Sequence, residues 1–192
     1  MKMAKKFLAV ALAGVLTLSV LTGCGKSVKS KDIADALTKM GMNVEQSKDM
    51  DKTAESTLTA IEAIIASDTN TGADKITLDN AVKVDGKVIE INNIINDPNN
   101  AVKKALGMMS TGSPAETENN AKQVRVALVK TENAKKDASL QAALVKDGLI
   151  ATHVLILSTD KEIAETGKLG SAKTSDGKYI LVVIVNDVVA KY

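Results

Sequence analysis

In 192 residues the chain has one cysteine, one histidine, two prolines and no tryptophan. It also has one arginine, Arg125. Each shortage excludes something. A single thiol, Cys24, forms no disulfide within the chain and no thiolate metal cluster, since both need at least two cysteines. One guanidinium is a poor basis for reading a nucleic acid, where phosphates and base edges draw on several. The aromatic residues are Phe7, Tyr179 and Tyr192. A sugar-binding platform of stacked rings is therefore excluded, and the core has to be built from Ala, Leu, Ile, Val and Met. His153 stands alone. A histidine base needs a nucleophile and an orienting acid, and no nucleophile-elbow sequence is present. His153 reads as a half-buried structural residue of a strand.

The first thirty residues are the most informative. Lys2, Lys5 and Lys6 precede an uncharged apolar run from Phe7 to Val20. This is the length of a signal-peptide core, and it is shorter than the roughly 20 residues of a spanning helix. Leu21-Thr22-Gly23-Cys24 follows. The order of apolar residue, two small residues and cysteine resembles the lipobox of bacterial prolipoproteins. The resemblance implies a diacylglycerol thioether on Cys24 and cleavage between Gly23 and Cys24, so that Cys24 becomes the N-terminus. A thioether needs a thiol, and small residues let a peptidase close on the backbone. Two acyl chains give stable anchoring where one is marginal.

Removing residues 1–23 leaves 169 residues, enough for one domain with a core. Three lysines and no acidic residue leave with them, so the net charge falls from +2 to −1. The basic balance belongs to the leader, and the domain has no electrostatic footprint for nucleic acid. Residues 24–31 read as a lipidated tether, with Lys26, Lys29 and Lys31 near anionic headgroups.

Along the rest of the chain, Ile33, Leu37 and Met40 predict a short helix stopped by Gly41. Leu58, Ile61, Ile64 and Ile65 predict a long helix over 51–67. Asp85-Gly86 predicts a hairpin over 82–91, in competition with a helix. Asp97-Pro98 opens a helix that ends near Gly107, and a loop follows to 121. Strands are predicted at 123–130, with Val124, Val126 and Leu128 on one face, and at 150–158. A helix is predicted at 137–148, with an Asp cap and a Gly stop. A closing hairpin is predicted over 169–189, turning at Asp176-Gly177. Tyr179–Val185 lacks polar alternation, the mark of a strand covered on both faces. The expected fold is a single α+β domain over 32–192, with N-terminal helices packed on a C-terminal β-α-β-β sheet.

Three constellations point weakly to chemistry. Asp68, Asn70, Asp74 and Asp79 surround Gly72, but the calcium-loop spacing is broken and its bidentate Glu is missing. Met40, Met42, Met108 and Met109 suit a soft metal and suit core filling better. Asp160, Glu162 and Glu165 read as a solvated helical turn with an Asp cap. The stretch 163–187, with its small-residue strand, DGKY turn and apolar last strand, resembles the closing hairpin of CAP (SCP-like) domains. That family's paired cleft histidines and its aromatic last strand have no counterpart here, so the resemblance implies a hairpin and carries over no activity. No cofactor and no metal is expected. The chain reads as a lipid-anchored, extracytoplasmic binding or accessory protein of the cell envelope, with the membrane and an envelope protein as partners. The alternatives are an envelope enzyme with a cleft built from scattered residues and a component of a solute receptor.

Overall fold

A computed structural model of the chain describes residues 28–69, 71, 75, 77–81, 101–107, 122–153 and 160–191. The leader, Cys24, the 82–91 hairpin and the 108–121 loop lie outside the described residues. The described elements are α1 (Ser30–Lys39), β1 (Val44–Gln46), α2 (Lys48–Ser67), α3 (Leu78–Ala81) and α4 (Ala101–Ala105). They continue with β2 (Lys122–Lys130), α5 (Ala138–Gly148), β3 (Ile150–His153), β4 (Lys161–Ile163), β5 (Gly167–Lys173) and β6 (Tyr179–Ala190).

One sheet holds the fold, in the order β1-β5-β6-β2-β3, with β4 also on β6. β6 is central, antiparallel to β2 through nine residue pairs and to β5 through six. Its residues Tyr179 to Asn186 are all buried, as an apolar run covered on both faces should be. Residues that alternate along it serve opposite layers. Leu181, Val183 and Val185 join Val124, Val126 and Leu128 under α2 and α4. Ile180, Val182 and Ile184 join Ala127 and Val129 under α1 and α5. The fold is thus α+β, with three layers and two cores.

Local chemistry sets the helix ends. In α1, Asp32 accepts the Lys29 backbone N–H at 2.8 Å. At its other end Gly41 adopts φ +84°, and the Met42 and Gly41 amides donate to the Leu37 and Thr38 carbonyls. That bond pair is a Schellman stop. In α5 the Asp137 side chain accepts from the Leu140 amide at 3.0 Å. α2 is tied down by its first turn. Asp51 accepts the Ser171 amide of β5 at 3.0 Å and the Gln46 side-chain amide at 2.6 Å.

Several expectations need correction. The tether is shorter than 24–31. Val28 is only 7% exposed, packs into the α1–α5 core and has its carbonyl bound by Lys173 Nζ at 2.7 Å, so it already belongs to the domain. Ser30 and Lys31 already belong to α1. The sheet is not wholly C-terminal: β1 joins it parallel to β5, so both halves of the chain share one sheet. Residues 160–165 hold a strand in place of a helical turn. β6 runs on to Ala190, and its free edge pairs with β4 from Ile163↔Val188 to Lys161↔Ala190. A single helical turn gains one hydrogen bond for three fixed residues, which cannot compete with such an edge. β2 is buried on both faces from Val126 to Val129, where one face was expected. Gly148 does end α5, as the Gly stop implies. A Cβ there would lie 2.9 Å from Val129 Cγ1, so the glycine lets the end of α5 approach β2.

Candidate functional site

At the far end of the α1–α5 face, beyond the apolar core, the sheet turns polar. Gln123 on β2 lies directly opposite Asn186 on β6, and Arg125 follows on the same face, two residues along. Arg125 is half-buried, and burial pulls its pKa below the ordinary arginine value. Its Nη2 donates to Asn186 Oδ1 at 2.9 Å. Asn186 is buried and donates its own Nδ2 to the Ala164 carbonyl at 2.9 Å, which fixes its orientation. Arg125 Nε is buried with no acceptor. Among the described residues no carboxylate pairs with this guanidinium. A buried N–H left unmade costs about 1–3 kcal/mol.

The neighbouring strands are kept low. Ala151 of β3, opposite Arg125, is exposed. Gly167 of β5 approaches Asn186 so closely that a Cβ would fall 2.9 Å from Oδ1. Arg125, Gln123 and Asn186 thus form one polar cluster on this face, here called the Arg125 dish, with the small residues Ala151 and Gly167 on the neighbouring strands. Above it on this face, Lys146 of α5 donates to the Met40 carbonyl at 2.8 Å and ties the ends of α5 and α1 together.

A second polar group occupies the opposite end of the sheet. Tyr179 is buried, and its hydroxyl donates to Asp79 Oδ1 at 2.6 Å. Lys130 donates to the same oxygen at 2.8 Å and lies 5.9 Å from the Tyr179 ring centre. Burial, then the bond to Asp79, pushes the Tyr179 phenol up to about 12. The bonds from Lys130 and Tyr179 hold the Asp79 carboxyl below its ordinary value. Here every charge meets its opposite, so the group closes a seam between α3 and the sheet. Nearby, Glu62 of α2 is half-buried, and desolvation, with Asp176 adding to it, raises its pKa. Lys173 is also half-buried, and desolvation lowers its pKa while it holds the Val28 carbonyl.

The residues singled out in the sequence do not converge. Asp68 caps the end of α2, Asp79 is engaged by Lys130 and Tyr179, and Asn70 and Asp74 lie outside the described residues. Met40 and Met42 pack against the α1–α5 core, while Met108 and Met109 lie outside. His153 ends β3 opposite Val124, with its side chain outside the described set. Lys31 is spent on Asp35 at 2.6 Å. An open groove of about 590 Å³ between α1 and β1 is lined by this pair, Thr38 and Glu45 among others. The hairpin expected over 169–189 forms as β5 and β6, with Gly177 at φ +67° and Asp176 accepting from Thr174 and Lys178.

Sequence reasoning missed the Arg125 dish. One signal was available: in "QVRVALVK" the only arginine occupies a position whose register mates, Ala127 and Val129, are apolar and buried. No family model matches the chain, and no curated protein or solved structure does either. Among the described residues no helix is long and apolar enough to cross a membrane.

Proposed function

We propose that the chain is a lipid-anchored protein of the bacterial envelope, held on the extracytoplasmic face of the cell membrane through Cys24, with a binding or accessory role. One observation carries the reading: a leader sequence of lysines, apolar run and Leu21-Thr22-Gly23-Cys24, followed almost at once by a residue packed into a domain core. Four Cα–Cα steps link Cys24 to Val28, a reach of at most about 14 Å. The domain therefore rides directly on the headgroups. The membrane-near end is where Val28 docks, beside Lys173 and the Thr174–Lys178 turn. Asn186 lies six residues of β6 beyond Ile180, roughly 20 Å along the strand. The Arg125 dish would thus face away from the bilayer.

A two-lobed solute receptor is disfavoured because β1 and β5 join both halves of the chain into one sheet. The anchor is tested by intact mass and membrane fractionation of the native protein. The expected mature species starts at a diacylated Cys24 and partitions into detergent. The Cys24→Ser variant should remain an uncut precursor. A Cys24→Ser protein that is membrane-bound and cut at the same bond would refute the reading.

A further inference from the structure

We infer that Arg125, with Gln123 and Asn186 beside it, forms a binding site for one carboxylate group of a small ligand. The inference adds a site and a ligand class to the binding role proposed above, and rests on that reading only in calling the site functional.

Arg125 is a poor stabiliser where it stands. It is half-buried, its Nε has no acceptor, and among the described residues it has no counter-ion. A desolvated, unpaired charge works against folding. A buried N–H without a partner calls for another explanation than stability. The surroundings hold the group out for use. Asn186 is locked by the Ala164 carbonyl and presents its oxygen to Nη2, which fixes the plane of the guanidinium. Each Nη carries two hydrogens. Nη2 gives one to Asn186, and among the described residues no carboxylate takes the others. Two guanidinium N–H groups side by side have the spacing a carboxylate accepts in bidentate fashion. Gln123 lies opposite Asn186 on the same face and carries a neutral amide.

Charge selects the ligand. While the Asn186 amide is committed to Arg125 and the Ala164 carbonyl, the site offers one positive charge. A monoanionic carboxylate balances it, whereas a phosphate dianion would leave about one charge uncompensated.

Because the chain has one arginine, it gives one Nε–Hε resonance. The mature lipidated protein, nitrogen-15 labelled and held in detergent micelles, is titrated with sodium acetate, with sodium phosphate, and with sodium chloride at matched ionic strength. Acetate should move the Arg125 resonance and the Gln123 and Asn186 side-chain amides along one saturating curve. Chloride and phosphate should not. Asn186→Asp places a carboxylate against the guanidinium and should raise the acetate half-saturation at least about tenfold. Arg125→Lys keeps the charge, loses the fork, and should do the same as read through the Gln123 and Asn186 amides. It serves if Asn186→Asp does not fold. Acetate shifts no different from those of chloride would overturn the site. Saturation by phosphate and not acetate would overturn the ligand class, and undiminished binding in the folded variant would place the site elsewhere. The mass of the Cys24 species in the same sample reports separately on the anchor.

Discussion

Gly170 is the residue on which α2 and the sheet depend for their closeness. It lies on β5 opposite Val183, on the face that α2 covers. A Cβ at this position would fall 1.9 Å from the Met50 carbonyl carbon and 2.2 Å from the Asp51 nitrogen. The obstacle is backbone, so no rotamer change relieves it. Ordinary contact begins near 3.4 Å, so the first turn of α2 has to retreat by about 1.5 Å. Two bonds that fix this turn would stretch with it, Ser47 N–H to the Leu169 carbonyl at 2.8 Å and Ser171 N–H to Asp51 at 3.0 Å. Overpacking costs about 1–3 kcal/mol, and each weakened bond adds about 1 kcal/mol. The narrower unfolded ensemble of alanine returns about 0.4–1 kcal/mol. Gly170→Ala should therefore destabilise the domain by about 3 kcal/mol. With a urea slope of about 2 kcal/mol/M, the unfolding midpoint followed by far-ultraviolet circular dichroism drops by about 1.5 M. Gly41→Ala is the control. Its φ of +84° is strained for alanine, but nothing lies within 4 Å of the added carbon, so it should lose only about 1 kcal/mol. A Gly170→Ala midpoint within about 0.3 M of the parent, or equal to that of Gly41→Ala, would refute the argument.

Two further outcomes follow from the same structure. Glu62 has a folded-state pKa raised by desolvation and by Asp176. The folded state then holds this proton more tightly than the unfolded chain, so the contribution of Glu62 is favourable in acid and is lost as pH rises through the folded pKa. Glu62→Gln should raise Tm at about pH 7 and leave it unchanged at about pH 3, as read by thermal scans; a loss of Tm at neutral pH would contradict the desolvation account. Asp137→Ala removes the side chain that accepts from the Leu140 amide. It should cost about 1 kcal/mol in urea unfolding, with Asp137→Asn retaining most of that.

Much of the fold is legible in short stretches. The Gly41 stop, the Asp137 cap, the Gly177 turn and the buried run of β6 are each written within a few residues, because capping, positive φ and apolar continuity act between chain neighbours. The strand at 161–163 was not legible for the opposite reason. Its pattern is polar, and it becomes a strand only because β6 offers an edge twenty-seven residues later. The Arg125 dish is hidden in the same way. Arg125 and Asn186 are 61 residues apart, and whether an arginine in a strand faces water or a core depends on which helices cover that face.

By itself the sequence carries the lipobox-like order Leu21-Thr22-Gly23-Cys24, and it holds no second cysteine. It also determined the charge of the domain and most helix and strand positions, since these follow from composition and from neighbours. The tertiary structure alone decided that β1 joins the C-terminal sheet, that Val28 packs into the α1–α5 core, and that Asp51 meets Ser171 across 120 residues. It alone left the one arginine half-buried, its Nε without an acceptor and no carboxylate against it among the described residues. Such contacts are set by packing two helical layers on one sheet, and no local pattern encodes them.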